Sequence, residues 1–214
     1  MADKINASKN GREKSIRIEA EFLVSAANPK QYPDETFNEV AFAGRSNAGK
    51  SSVLNCLTGN KQLARTSKTP GRTQLINFFD TPIKGRLVDL PGYGYAKASQ
   101  KQKAIWRVNN ESYLSQRNAL TGLILVMDVR HPFQPFDLQM LDWAVESDFP
   151  MHILLNKSDK LKQGARQTTL RKAQAHISGK AMLGIQLFSA RTGLGLDEVR
   201  ERIVSWFNTQ TQEC

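Results

Sequence analysis

Residues able to do chemistry cluster in a few short stretches of this chain. The first is Gly44-Arg45-Ser46-Asn47-Ala48-Gly49-Lys50-Ser51, which has the form G-x-x-x-x-G-K-S. In that pattern the glycines let backbone N–H groups wrap a phosphate chain, and a following helix adds the positive end of its dipole. Lys50 would reach the terminal phosphates, and the Ser51 hydroxyl would ligate Mg²⁺. A bare match can arise by chance in a Gly-rich turn, but the context here favours the loop. Val40-Ala41-Phe42-Ala43 is an apolar run suited to a buried strand, and Val53, Leu54 and Leu57 recur behind it at helical spacing.

Asp89-Leu90-Pro91-Gly92 closes a second apolar run. An Asp with a Gly three residues on suits a nucleotide switch, the carboxylate holding Mg²⁺ through water and the Gly N–H touching a γ-phosphate. Asn156-Lys157-Ser158-Asp159 follows another apolar run. The Asp159 carboxylate can accept two hydrogen bonds, matching the ring N–H and exocyclic amine of guanine. Adenine lacks that pair, and a buried polar group left unpaired rejects the wrong base. Lys157 can lay its stem over the base. Ser189-Ala190 sits after a last strand, where a backbone N–H could meet the guanine carbonyl. A polar loop runs from Thr66 to Thr73, and a hydroxyl from it would reach Mg²⁺ when a γ-phosphate is present. Thr66, Ser67, Thr69 and Thr73 all qualify, and spacing alone does not choose among them.

These stretches need a scaffold that brings them together. Strands are expected at Leu75 to Asp80, Arg86 to Leu90, Leu123 to Met127, Met151 to Leu155 and Gly184 to Phe188. Lys84-Gly85 is a hairpin turn signal between the first two. Helical spacing appears over residues 100–117, around Leu138, Leu141 and Val145, and over about 165–177. Leu196, Val199, Ile203, Trp206 and Phe207 step by three and four, predicting a closing amphipathic helix with its aromatics in the core. Strands alternating with helices mean an α/β fold with helices on both faces of the sheet. Ligands in such sheets sit beyond the carboxyl ends of the strands, where these motifs fall. Ile18 to Ala26 reads as a short strand or extended lead-in. Residues 1–17 read as a polar, disordered tail, 18–210 as one domain and 211–214 as a C-terminal tail.

The 214 residues suffice for one domain with a substantial core. No run is long and apolar enough to span a membrane, and the first residues lack an apolar signal core. Cys56 and Cys214 make no disulfide framework. No Ser/His/Asp arrangement is visible, and the scattered His131, His152 and His176 read as surface or loop residues. Thirty Lys and Arg against twenty Asp and Glu leave a net charge of +10, which suggests a polyanionic partner. Lys97, Lys101, Lys103 and Arg107 lie in and after the Asp89 motif, while Lys160, Lys162, Arg166, Arg171 and Lys172 follow the guanine motif. Singly each is a solvated charge; together they suggest a surface for RNA.

Taken in order, G-R-S-N-A-G-K-S-S, T-P-G-R-T-Q, D-L-P-G-Y-G-Y-A and N-K-S-D closely resemble the EngB family of translation-factor-type small GTPases, over about residues 38–191. The resemblance implies a Ras-like P-loop GTPase domain, a six-stranded mixed sheet with one antiparallel strand flanked by helices on both faces. It implies a cytoplasmic, Mg²⁺-dependent GTPase acting in assembly of the large (50S) ribosomal subunit, linked to cell division and septation. It selects Thr73 as the switch threonine. Guanine-nucleotide contacts carry over to Gly44, Arg45, Ser46, Asn47, Ala48, Gly49, Lys50 and Ser51. They carry over likewise to Gly71, Arg72, Thr73, Gln74 and Leu75, to Asp89, Leu90, Pro91 and Gly92, to Asn156, Lys157, Ser158 and Asp159, and to Ser189, Ala190 and Arg191. Ser51 and Thr73 carry over as Mg²⁺ ligands, with Asp89 acting through water. Lys50, Thr73 and Gly92 are expected to act on the reacting phosphate. In related GTPases an Asn in the place of Asn47 helps hold K⁺, and Arg72 is a rival as an arginine finger. Tyr93 stands where Ras-like enzymes use a Gln to orient water, so hydrolysis is expected to be slow without a partner or K⁺. A monomer binding GTP, GDP and large-subunit particles, with no membrane attachment, is the first reading. A phosphotransferase and a nucleotide-binding division scaffold are the competitors. N-K-S-D argues against the phosphotransferase, and sequence does not separate the scaffold.

Overall fold

The computed structural model describes residues 16–64, 75–93, 110 and 112–209. Seven strands form one sheet: β1 (Glu21–Ala26), β2 (Asn38–Gly44), β3 (Ile76–Asp80), β4 (Gly85–Asp89), β5 (Leu120–Asp128), β6 (Met151–Asn156) and β7 (Leu183–Leu187). Their spatial order is β1-β3-β4-β2-β5-β6-β7. β3 runs antiparallel to both its neighbours, and the remaining pairs are parallel. The sheet therefore has the one antiparallel strand expected, but seven strands rather than six. The extra strand is the Ile18–Ala26 lead-in. Its segment Glu21–Ala26 pairs along the whole of β3, and Ile18, just before it, is fully buried.

Helices α1 (Lys50–Thr58), α2 (Pro135–Glu146), α3 (Gln163–His176) and α4 (Leu196–Phe207) cover the sheet. Residues 112–116 are also helical. Alternation along the strands sorts the apolar runs onto two faces. Val40 and Phe42 of β2, with Ile124 and Val126 of β5, meet Val53, Leu54 and Leu57 of α1 and Val199 and Ile203 of α4. Ala41, Ala43, Leu123 and Leu125 point the other way, toward Met140, Leu141 and Ala144 of α2 and Ala173 of α3. A strand buried on both faces has no polar side to show, hence the unbroken apolar runs. His152 belongs to this interior. It lies within β6, buried, with Nε2 2.7 Å from Gln186 Oε1, and burial lowers its pKa and keeps the ring neutral. It is neither a surface nor a loop residue, contrary to the sequence expectation.

At the end of the sheet opposite the loops, a charge is fully buried. Glu39 accepts from Arg86 Nη1 at 3.1 Å, Arg117 Nε at 2.9 Å and the Tyr113 hydroxyl at 2.8 Å. Arg117 Nη2 adds a fourth donor at 2.5 Å, so each carboxylate lone pair has a donor, which is what makes such burial tolerable. Burial, followed by the Glu39 charge and hydrogen bond, pushes the Tyr113 phenol well above its ordinary pKa. The same Arg117 reaches the carbonyls of Pro33 and Asp34, tying the β1–β2 connection to the start of the parallel strands.

The closing helix packs onto two glycines. A Cβ on Gly85 would overlap the Phe207 ring, and one on Gly122 would overlap the Trp206 ring. Both rings are at least nine-tenths buried, so neither can swing out of the way. Gly122→Ala should therefore cost about 1–3 kcal/mol by overpacking. In a Trp206→Leu background the same substitution should cost less, because the smaller side chain leaves room. Urea unfolding of the four proteins of this double-mutant cycle measures both; equal costs in the two backgrounds would mean that Trp206 is not what excludes the side chain.

Candidate nucleotide-binding site

The chain leaves β2 at Gly44 and enters α1 at Lys50. To turn back on itself there it uses two left-handed residues, Asn47 (φ 66°) and Gly49 (φ 99°). Asn tolerates that region. Gly49 is required twice over, since a Cβ there would overlap Asn156 Nδ2. Gly49 caps α1 with its backbone alone, so the first N–H groups of the helix face the loop. Ser46 Oγ in the loop is buried with no hydrogen-bond partner among the described residues.

The carboxyl end of β6 holds this loop from behind. Asn156 Nδ2 donates to Ala48 O at 2.9 Å, and Lys157 Nζ donates to Asn47 O at 2.5 Å. Asn156 Oδ1 accepts from the Ala190 N–H at 3.3 Å, joining the loop after β7 to the same point. Ser158 N–H donates to Phe188 O at 3.1 Å. The Ser189 hydroxyl donates to Asp159 Oδ1 at 2.7 Å. That bond first, against burial, lowers the Asp159 pKa. Asp159 Oδ2 accepts no hydrogen bond from the described residues, and its nearest cations are Arg191 at 3.7 Å and Lys160 at 4.0 Å. The Ser189 and Ala190 N–H groups are already engaged, with Leu194 O and Asn156 Oδ1. The Ser189 hydroxyl thus holds Asp159 in place.

The Asp89 loop runs beside the phosphate loop. Tyr93 N–H donates to Gly44 O at 3.3 Å, and Ser46 N–H donates to Tyr93 O at 2.8 Å. Lys50 forms an ion pair with Asp89, so the two side chains expected on phosphate and metal already meet. Tyr93 is 2% exposed and its hydroxyl donates to Asp137 Oδ1 at 2.6 Å, in the first turn of α2. Burial, then the Asp137 charge, raise the phenol well above its ordinary pKa. Tyr93 is thus a neutral donor committed to α2 and not a group free to orient water. Thr73, Gly71, Arg72 and Gln74, the rivals Thr66, Ser67 and Thr69, and Lys97, Lys101, Lys103 and Arg107 lie outside the described residues.

Sequence reasoning missed two acids. Asp137 anchors Tyr93. Asp128 ends β5 and binds Lys157 Nζ at 3.1 Å and Arg130 Nη2 at 2.6 Å. Burial would raise the Asp128 pKa, but the Arg130 bonds and then Lys157 outweigh it and hold the carboxyl far below the usual range. The signal was present: an Asp closing an apolar strand, as Asp89 does. Together the loops gather backbone N–H groups, Lys50 and a carboxylate oxygen of Asp159 without a hydrogen-bond partner among the described residues. The Ser51 hydroxyl and Asp89 carboxylate are hard oxygen donors that suit Mg²⁺.

A family described as 50S ribosome-binding GTPase matches residues 39–157. The "Probable GTP-binding protein EngB" of Coxiella burnetii (strain CbuG_Q212) is 52% identical over 193 residues, 90% of this chain and 94% of that protein. Among solved structures, a probable GTP-binding protein EngB superposes with a TM-score of 0.64 at 22% identity, over 80% of this chain and all of that one. The cytosolic domain of the T. maritima FeoB iron transporter in a GDP form gives 0.56 at 28% identity, over 82% of this chain and 65% of that one. No helix among the described residues is long and apolar enough to cross a membrane. The chain has the Ras-like P-loop fold, is a GTPase, and belongs to the EngB family of GTP-binding proteins.

Proposed function

We propose that this GTPase is a nucleotide-driven switch in assembly of the large (50S) ribosomal subunit, and that normal cell division and septation depend on it through ribosome supply. The observation that carries the reading is the joint at Asn156 and Lys157, which fixes the phosphate loop to the strand end bearing Asp159. The family description adds the ribosome. In this reading residues 18–210 act as one G domain, monomeric and cytoplasmic. Gly44 to Ser51 cradle the phosphates, Asp159 reads guanine, and Lys157 covers the base. Gly71 to Leu75, Asp89 to Gly92 and Ser189 to Arg191 complete the nucleotide contacts. Mg²⁺, when bound, would neutralise charge on the phosphates; Ser51 and Thr73 would hold it, with Asp89 through water. Nucleotide entry redirects Lys50 from Asp89 to the phosphates, so the pair keeps each side chain in place beforehand. GTP orders the loops of Thr73 and Gly92 into a docking shape, and hydrolysis releases it.

The function is tested by co-sedimentation with large-subunit particles. Binding should be tighter with a non-hydrolysable GTP analogue than with GDP; equal pelleting in both states would remove the switch. Base recognition has its own test. Asp159→Asn exchanges an acceptor for a donor and should turn preference from guanine toward xanthine nucleotides. Competition between labelled GDP and XDP measures it, and a variant that still prefers guanine refutes the role of Asp159.

With Tyr93 occupied by Asp137, developing charge on the phosphates needs another stabiliser, and we assign this to K⁺ held at Asn47. Single-turnover hydrolysis should be faster in KCl than in NaCl at equal ionic strength. Asn47→Gly, which keeps the left-handed backbone, should abolish the difference. Identical rates in the two salts would rule the cation out.

A further inference from the structure

Helix α3 departs from the charge pattern of a solvated helix. Residues 160–196 hold seven Lys or Arg and no Asp or Glu. Helix α4 shows the usual arrangement, Asp197 and Glu198 in its first turn with Arg200 and Arg202 further on. Helix α3 opens the opposite way, with Lys162 at its N-cap and no acidic residue in its first turn. Cations there oppose the helix dipole, and no carboxylate one turn away offsets them. Lys162, Arg171 and Lys172 are exposed, and none of them pairs with an acid among the described residues. Arg166 adds a buried Nε with no hydrogen-bond partner among the described residues. The other exposed positions include Gln163, Gln167, Thr168 and Gln174, all neutral and able to hydrogen-bond. The helix faces the core through Leu170, Ala173 and Ile177 and exposes no Phe, Tyr or Trp.

We propose that the outer face of α3, entered from Lys160 and Lys162, docks on the sugar-phosphate backbone of double-stranded RNA. Unpaired cations beside neutral donors match phosphates and 2′-hydroxyls, which present themselves across the shallow groove of an RNA duplex. Single strands are bound by stacking bases on aromatic rings, and this face has none to offer. At about 1.5 Å per residue the 14-residue helix is roughly 21 Å long, enough to meet several phosphates at once. The inference rests on the reading that the partner is an RNA-bearing particle, and names the surface that meets it. This surface starts where the guanine-reading turn ends.

The test uses the full chain with GDP bound and a 20-base-pair RNA duplex, over a salt series. The triple variant Lys162→Gln, Arg171→Gln, Lys172→Gln should bind the duplex on the order of a hundredfold more weakly near 0.1 M salt. Its log–log salt slope should flatten by about 0.9 for each charge removed. GDP affinity and GTP turnover should be unchanged. A control with the same charge loss elsewhere, Lys30→Gln, Lys61→Gln, Lys84→Gln, should bind like the parent. Equal weakening by both triple variants would show diffuse attraction by net charge and overturn the proposal. So would tighter binding of a uridine homopolymer than of the duplex. Large-subunit particles form the second arm. If the α3 variant loses particles but the parent never bound the naked duplex, the face meets ribosomal protein and the RNA assignment falls. If the variant keeps full, nucleotide-dependent particle binding, the α3 proposal fails while the switch reading stands. If the parent binds duplex but no particle in any nucleotide state, the switch reading fails instead.

Discussion

The site depends on one side chain amide. Asn156 ends β6, donates to the phosphate loop at Ala48 and accepts from the loop after β7 at Ala190. Three segments far apart in sequence are thereby set against each other by a single planar group. Lys157 repeats the connection one residue on, from a left-handed backbone (φ 62°) that turns its side chain toward Asn47. Because Asp159 lies on the same short turn, base recognition and phosphate binding share a rigid frame. In the proposed reading, a base that fails to satisfy Asp159 would leave a buried carboxylate oxygen unpaired and be rejected on that ground.

Around that frame the polar groups are paired in ways that nucleotide can exchange. Lys50 and Asp89 hold one another, and in the proposed reading each would pass to a stronger partner when phosphate and metal bind. Asp128 grips Lys157 and Arg130 together, so the lysine stem stays extended beside the loop. Tyr93 differs in kind. Its bond to Asp137, itself part of the capping box of α2, couples the end of the Asp89 motif to a helix on the sheet face. Motion of the Asp89 loop past Tyr93 would have to break a buried hydrogen bond, which costs roughly 1–3 kcal/mol.

The opposite pole of the sheet is built on a different principle. Glu39 is buried where β2 begins, with two arginines and a tyrosine saturating it. Losing one member of such a cluster strands the others, at a cost of about 3–5 kcal/mol. It fixes the amino ends of the parallel strands, the β1–β2 connection and the helical segment at 112–116.

Much of this was legible in the sequence, for identifiable reasons. The phosphate loop, the Asp89 motif and N-K-S-D are local patterns whose chemistry requires particular residues at fixed spacing. The parallel strands were legible by their apolar runs, because a strand buried on both faces has no polar side to show. The closing helix declared itself by steps of three and four, and its aromatics are core. Tertiary structure decided what depends on distant partners. The segment read from sequence as a short strand or lead-in became the seventh strand by pairing along β3, a partner that local pattern does not name. Glu39 is a buried hub only because Arg86, Tyr113 and Arg117 converge on it from other elements. Asp128 and Asp137 acquired roles through Lys157 and Tyr93, and the Ser189 hydroxyl holds Asp159 while its N–H meets Leu194 O. Spacing along the chain can say which groups a site has available; only the fold determines which of them remain unpaired.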